Sequence, residues 1–451
     1  MSEARALPDE GVSVENNPIL QGNFAPVDEE ITAFDLAVEG AIPAELNGAL
    51  LRDGPNPIAP GPGHHWFMGD GMIHGISIGG GQARAYRNRW VRTPQVETLK
   101  GLPAGRISPN QPMQQGSGSV NVIGHGGRIL ALPEVGLPWE LDGELNTIGQ
   151  HDFNGALASN MTAHPKIDPE TGELVFFGYD FGPISLRYHV ADRDGNLVRT
   201  VEIEKPIPTM MHDFGVTASR VIFMDLPVAF DMEMALAGKG LPFRWRDDMP
   251  ARLGLLPRAA TSDEVQWIEI DPCFVYHPLN AYDDGDRIIF DVVRHERSFV
   301  GGQLEGGGEV RLERWTIDPA RERVSTEIIS NRAQEFPRVD PRVECRPHRY
   351  GYTVEFELQV GARGLIKHDL EARTEVHHDV GAAGAASEGV FVPVGGGEDE
   401  GYILSVVYDG GSGGSHLRII DAQDFAAPPV AKIQLPARVP FGFHGNWIPA
   451  G

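Results

Sequence analysis

The sequence predicts an all-β chain, most simply a β-propeller. Three observations carry that expectation: extended runs and tight turns recur past residue 30, long helical periodicity is almost absent, and the chain is long. It has 451 residues, of which 55 are Gly and 35 Pro. Residues 168–180 (DPETGELVFFGYD) read as a turn and an apolar strand, and 192–204 (DRDGNLVRTVEIE) place Asp-Gly between two extended runs. Residues 283–293 (DDGDRIIFDVV) and 398–408 (EDEGYILSVVY) follow the same plan. Asp and Gly supply the positive φ that short hairpins need, and the flanking Val, Ile, Phe and Tyr suit a pleated strand. WIEIDP at 267, RWTIDP at 314 and RIIDAQ at 418 form a weak internal echo. Many short strands at short intervals fit a sandwich, a barrel or a propeller. A sandwich rarely uses this length, whereas seven blades of roughly 50–60 residues would. The echo is too faint to count blades.

Composition removes several functions. Hydrophobic residues make up 41% of the chain, and no window reaches the ~18 uninterrupted apolar residues of a membrane-spanning helix. Gly and Pro together stay below the roughly 25–30% that marks low complexity. Against 38 basic residues stand 63 acidic ones, a net charge of −25, and no basic cluster offers a nucleic acid a face. Cys273 and Cys345 are the only cysteines and form no CxxC pair, which suits a reducing cytoplasm without a thiolate metal site. The segment MSEARALPDEG lacks the basic-then-apolar layout of a signal peptide, and residues 1–15 read as a flexible, solvated arm before one domain over 16–451. Residues 221–245 (VIFMDLPVAFDMEMALAGKGLPFRW) break the strand pattern, with Phe230, Met234, Leu236, Leu241 and Phe243 among scattered charge. They read either as a capping loop or short helix, or as an apolar mouth in peripheral contact with a membrane or micelle.

No HExxH, Walker loop or GxSxG elbow occurs, and GGGQARA and GGSGGSH do not match GxGxxG. Of 16 histidines, four share a local context: His164 in NMTAHPKIDPETGEL, His212 in PTMMHDFGVT, His277 in CFVYHPLNAYDDGD and His444 in FGFHGNW. Each precedes Pro, Asp or Gly, a setting that suits the end of a strand. Inner strands of a propeller converge on one axis, so four such histidines can meet despite their spacing. Imidazole suits Fe, Zn, Cu and Ni alike, and residue type alone does not choose among them.

Longer motifs make the chain recognisable. GALLRDGPNP (48–57), HHWFMGDGMIHG (64–75), YRNRWVRT (86–93), TAHPK, MMHDFG, EFPRVDPR (335–342) and the terminal FHG occur in that order. Together they resemble the carotenoid cleavage oxygenase family, which includes lignostilbene dioxygenases and retinoid isomerohydrolases, from residue 17 to 447. The resemblance implies a seven-bladed propeller, with loops and short helices forming a dome over an axial non-haem Fe(II). It implies His164, His212, His277 and His444 as the iron ligands. It also implies Glu134, Glu335 and Glu388 as carboxylates that accept ring N–H groups from those histidines, which fixes the tautomer and raises ligand basicity. The implied reaction uses O2 to cleave a C=C bond into two carbonyl products, with the chemistry carried by the metal and no further catalytic side chain.

The same resemblance places Phe67, in HHWF, at the substrate cleft. Stilbene-cleaving members tend to put a lysine immediately before the first glutamate, where it holds a phenolic oxygen. Here that residue is Pro133, which has neither charge nor donor. YRNRWVRT nevertheless resembles bacterial stilbene-cleaving members. A carotenoid or apocarotenoid is the favoured alkene. A hydroxystilbene cleaved to two aromatic aldehydes is the alternative, followed by isomerohydrolase chemistry and a non-enzymatic binding propeller.

Overall fold

Glycines in the left-handed region turn this sequence into antiparallel hairpins. In the computed structural model, Gly195 (φ 82°) links Leu186–Ala191 to Leu197–Ile203. Gly285 (φ 60°) likewise links Phe274–Asp284 to Arg287–His295. Glycine, with no Cβ, adopts such backbone at no steric cost. The structure describes residues 14–450 except 62, 114, 181–184, 206, 238–240, 301–302, 306 and 358–360. Of the expected N-terminal arm, residues 1–13 lie outside the described residues, and Val14–Asn16 form an exposed 3-10 turn.

Among the described residues, seven antiparallel sheets of four to six strands follow one another along the chain, each a propeller blade, with two further two-stranded ribbons. The ring is closed from both ends of the chain. Gly445–Pro449 pairs with Gly48–Pro55, with Gly445 opposite Arg52. At the far edge of the neighbouring blade, Val38–Gly40 pairs with Ala431–Gln434. A core cluster fills the space between blades, running from Leu130 and Phe176 through Tyr352 and Ile403 to Phe441 and Phe443. Burying each such side chain contributes roughly 1.5–3 kcal/mol. The weak echo of Ile-Asp does not mark equivalent strands: Gln266–Ile270 is last in its sheet, whereas Val310–Asp318 and Gly414–Asp421 are third.

Residues 221–245 divide into two parts. Arg220–Asp225 is a blade strand whose apolar side chains are buried. Beyond it, Val228–Phe230 and Phe243–Trp245 form a ribbon around the short helix Met232–Ala237. Met232 and Leu236 on that helix are 61% and 82% exposed. The second ribbon, Ser298–Val300 with Gln303–Glu305, packs beside the first, and Phe243 meets Phe299 edge-on. Among the described residues no helix is long and apolar enough to cross a membrane.

One close approach ties ring closure to the axis. A Cβ on Gly54 would sit 2.5 Å from Gly442 Cα, where the C-terminal segment crosses the first blade just before His444. Overpacking of this kind costs about 1–3 kcal/mol. Gly54→Ala is therefore expected to lower stability by that amount in denaturant unfolding, and to weaken metal binding at the axis in the same preparation.

Candidate metal centre

The four predicted histidines come together. Their candidate ligand atoms all lie within 4.8 Å of one another, and His164, His277 and His444 are buried, with His212 nearly so. Each comes from a different blade. His164 and His212 precede the short strands Lys166–Ile167 and Gly215–Val216, and His444 directly precedes Gly445–Pro449. Three of the four thus stand at strand starts. His277 differs, because it lies inside the strand Phe274–Asp284. Pairing with Arg287–His295 shifts register on both sides of Pro278, since proline has no N–H for the ladder. That bulge turns His277 inward.

The three predicted glutamates lie behind three of the rings. Glu134 Oε2 is 3.0 Å from His212 Nδ1, Glu335 Oε2 is 2.6 Å from His277 Nδ1, and Glu388 Oε1 is 2.9 Å from His444 Nδ1. A carboxylate accepts, so His277 Nδ1 and His444 Nδ1 donate to their glutamates and leave Nε2 facing the axis, whereas His212 Nδ1 lies beside Glu134 Oε2 without hydrogen-bond alignment. His164 has no glutamate. Asp213 Oδ2 stands 3.7 Å from its Nδ1, and Asp213 itself is paired with Lys166 at 3.1 Å.

Electrostatics act differently on the individual groups. Burial, with the other three histidines close by, holds His164 well below the ordinary imidazole range. Burial likewise brings His444 down to about 4, although Glu388 pulls the other way. For His212 burial is outweighed by Glu134, and its pKa is raised. Burial pushes Glu388 upward, yet Arg338 and His444 more than offset this and bring it to about 2. Glu335 is also held below the usual carboxylate range, its burial overcome by His277 and His295.

Two features test whether a metal fits. His212 Nε2 and His277 Nε2 face each other at 3.2 Å, and His277 has Glu335 bound on its other nitrogen. His164 Nε2 is buried without any hydrogen-bond partner. An unsatisfied buried polar atom costs about 1–3 kcal/mol. A cation between the rings relieves both problems, and an all-imidazole set suits a first-row transition metal. The residues fit.

An aromatic wall flanks the histidines. Phe67 is half-buried between two core clusters, with its ring 5.6 Å from Phe443 and 6.2 Å from Tyr276. These two residues directly precede His444 and His277 in the chain. Phe336 has φ 54°, unusual for an aromatic residue, and its ring stacks on His277 at 5.7 Å. This backbone turn also lets Phe336 N donate to Glu335 Oε2 at 2.9 Å. Pro133 is buried so tightly against Gly116 that a Cβ on that glycine would overlap its ring.

Several contributors were not singled out from sequence. Asn446 Nδ2 donates to Asn121 Oδ1, and Asn121 Nδ2 to Ala163 O, which binds the His444 turn to the His164 turn. Arg338 donates to Asn446 Oδ1. Arg338, Asn446, Asp213 and Lys166 all lie inside the quoted motifs EFPRVDPR, FHGNW, MMHDFG and TAHPK, so a signal for them existed. For Tyr179, whose hydroxyl donates to Glu134 Oε1 at 3.1 Å, and for His295, 2.8 Å from Glu335 Oε1, none did.

A β-propeller with four histidines converging on its axis and carboxylates behind three of them is a narrow class. A family model described as retinal pigment epithelial membrane protein matches residues 24–449. The carotenoid cleavage oxygenase of Mycobacterium tuberculosis is 40% identical across 96% of this chain and 98% of its own. The carotenoid 9,10(9',10')-cleavage dioxygenase of Crocus sativus is 35% identical across 95% of this chain and 88% of its own. The crystal structure of Pseudomonas brassicacearum lignostilbene dioxygenase is similar with a TM-score of 0.87 at 28% identity, covering 96% of this chain and 99% of that one. The chain belongs to the carotenoid cleavage oxygenase family and is an enzyme of the alkene-cleaving dioxygenase class.

Removing a carboxylate behind a ligand typically costs about 10–100-fold in metal affinity. Glu388→Gln is expected to lose affinity on that scale in a competitive metal titration, while circular dichroism of the metal-free protein stays unchanged.

Proposed function

We propose that this protein is a non-haem Fe(II) dioxygenase that cleaves a C=C bond of a carotenoid or apocarotenoid. The observation that carries the proposal is the convergence of four imidazoles on one buried spot, three of them with a carboxylate behind the ring. His164, His212, His277 and His444 would hold one iron per chain, and Glu134, Glu335 and Glu388 would fix three of the rings. When bound, the iron supplies the activation of O2 that alkene scission requires. The net reaction breaks one C=C bond and places one oxygen atom on each carbon, giving two carbonyl products.

The chain's own residues orient and shield. Phe67, Tyr276 and Phe443 offer an apolar edge beside His277 and His444 against which a polyene lies flat. The ring of Phe336 keeps water from one side of His277. No acid or base is needed at the double bond. The exposed helix Met232–Ala237, with the ribbon around it, supports peripheral contact with a membrane or micelle from which an insoluble substrate is drawn. Two free, buried cysteines support a cytoplasmic setting.

A polyene rather than a hydroxystilbene is favoured by the two carotenoid-cleaving relatives and by Pro133, which supplies no donor for a phenol. The test is an aerobic incubation of ferrous-loaded protein with pooled carotenoids, apocarotenals and hydroxystilbenes, read by product mass beside an anaerobic control. Paired carbonyl products from a polyene, absent without O2 and absent with His277→Ala, are the expected result. Aromatic aldehydes from the stilbenes would overturn the substrate class. Absence of both bound iron and product would overturn the metal assignment.

A further inference from the structure

His295 is the last residue of the strand Arg287–His295, and its imidazole lies mostly buried beside the axis. Its Nε2 stands 2.8 Å from Glu335 Oε1, while the other oxygen of the same carboxylate faces His277 Nδ1 at 2.6 Å. One glutamate is thus clamped between two imidazoles, one on the axis and one outside it. Glu335 Oε2 also accepts from Phe336 N, so three donors fix this carboxylate in its plane. Ring contact adds a second restraint, because His295 meets Tyr276 edge-on at 5.1 Å and Tyr276 directly precedes His277. Tyr276 is held in turn, its hydroxyl 2.5 Å from Ser298 Oγ on the second ribbon.

The other two glutamates are held by different chemistry. Glu134 has the Tyr179 hydroxyl on its spare oxygen, and Glu388 has Gly445 N at 3.0 Å with Arg338 at 3.8 Å. Each carboxylate therefore has its own outer donor. Of the three, Glu335 alone has that donor on a neighbouring strand of the ligand's own blade, and a shift of His295 moves ligand and carboxylate together.

We propose that His295 is a positioning residue for the metal centre: by donating to Glu335 it fixes the carboxylate that aims His277, and it thereby sets metal affinity and ligand field. The inference rests on the four histidines binding a metal, but not on which alkene is cleaved. A carboxylate left with a free oxygen rotates, and the ring it holds loses both its aim and part of its basicity.

The test uses Co(II) as the probe metal in the full-length protein, with affinity from competitive titration and geometry from the visible d–d spectrum. His295→Ala is expected to weaken Co(II) binding by about 10–100-fold and to shift the d–d bands, with metal-free unfolding little changed. His295→Gln keeps an N–H donor and is expected to restore most of both readouts. Should His295→Ala fail to fold, His295→Leu, which retains the volume without a donor, carries the same expectation. Unchanged affinity and spectrum in the folded alanine or leucine variant overturns the proposal, as does a glutamine variant no better than alanine. If the parent itself binds no Co(II), the metal reading fails first and this inference falls with it.

Discussion

Four imidazoles meet at one buried spot, and everything else on the axis follows from that crowding. A histidine can turn away or take up a proton, and His212, with its pKa raised by Glu134, leans to the second. The carboxylates of Glu134, Glu335 and Glu388 occupy the Nδ1 side of three rings, and the hydrogen bonds of His277 and His444 to two of them turn Nε2 inward. Burial penalises an imidazolium in any case, as the depressed pKa of His164 and His444 reflects. Without a cation the arrangement is strained, and with one it is satisfied. Holding four rings in this arrangement costs folding stability, which is the usual relation between preorganisation and function.

That strain is held by the ring closure of the propeller. Asp53 N donates to His444 O at 2.8 Å and Phe443 N to Asp53 O at 3.1 Å, so the first blade grips the last histidine through its backbone. Arg52, buried beneath, donates to Phe443 O at 3.0 Å. The contacts that join the two ends of the chain are therefore also the contacts that seat His444. A propeller that failed to close would lose His444 from the axis, and three imidazoles would remain. Fold and site share one set of hydrogen bonds.

How much of this could be read from sequence depended on whether the signal was local. Asp-Gly turns and alternating apolar runs gave the strands, because hairpin chemistry is written in four or five adjacent residues. The blade count was not written that way: Gln266–Ile270 and Val310–Asp318 share a motif but sit at different sheet positions. The four histidines stood out through the residues beside them, and the family motifs then supplied the glutamates. Glu388, in the plain context SEGVFV, became distinctive only by its burial and its contact with His444. All four histidines were read as ending strands, but His164, His212 and His444 precede one and His277 lies within one, where the proline after it makes a bulge rather than a stop. His295 and Tyr179 had no motif at all, since their roles arise from a strand register and from a contact 45 residues distant in sequence.

The number of carboxylates is itself informative. Asp213 is the fourth acidic group near the rings, yet it is 3.7 Å from His164 and neutralised by Lys166 at 3.1 Å. The glutamates are not alone there: Arg338 stands 3.8 Å from Glu388, Arg52 acts on the same carboxylate, and the half-buried Glu344 acts on Arg338 and Lys166. Charge around the rings is thus shared among opposed groups, which is the form in which a poorly solvated centre tolerates it. The Lys166–Asp213 pair is one of these, and it stands where His164 has no glutamate behind its ring.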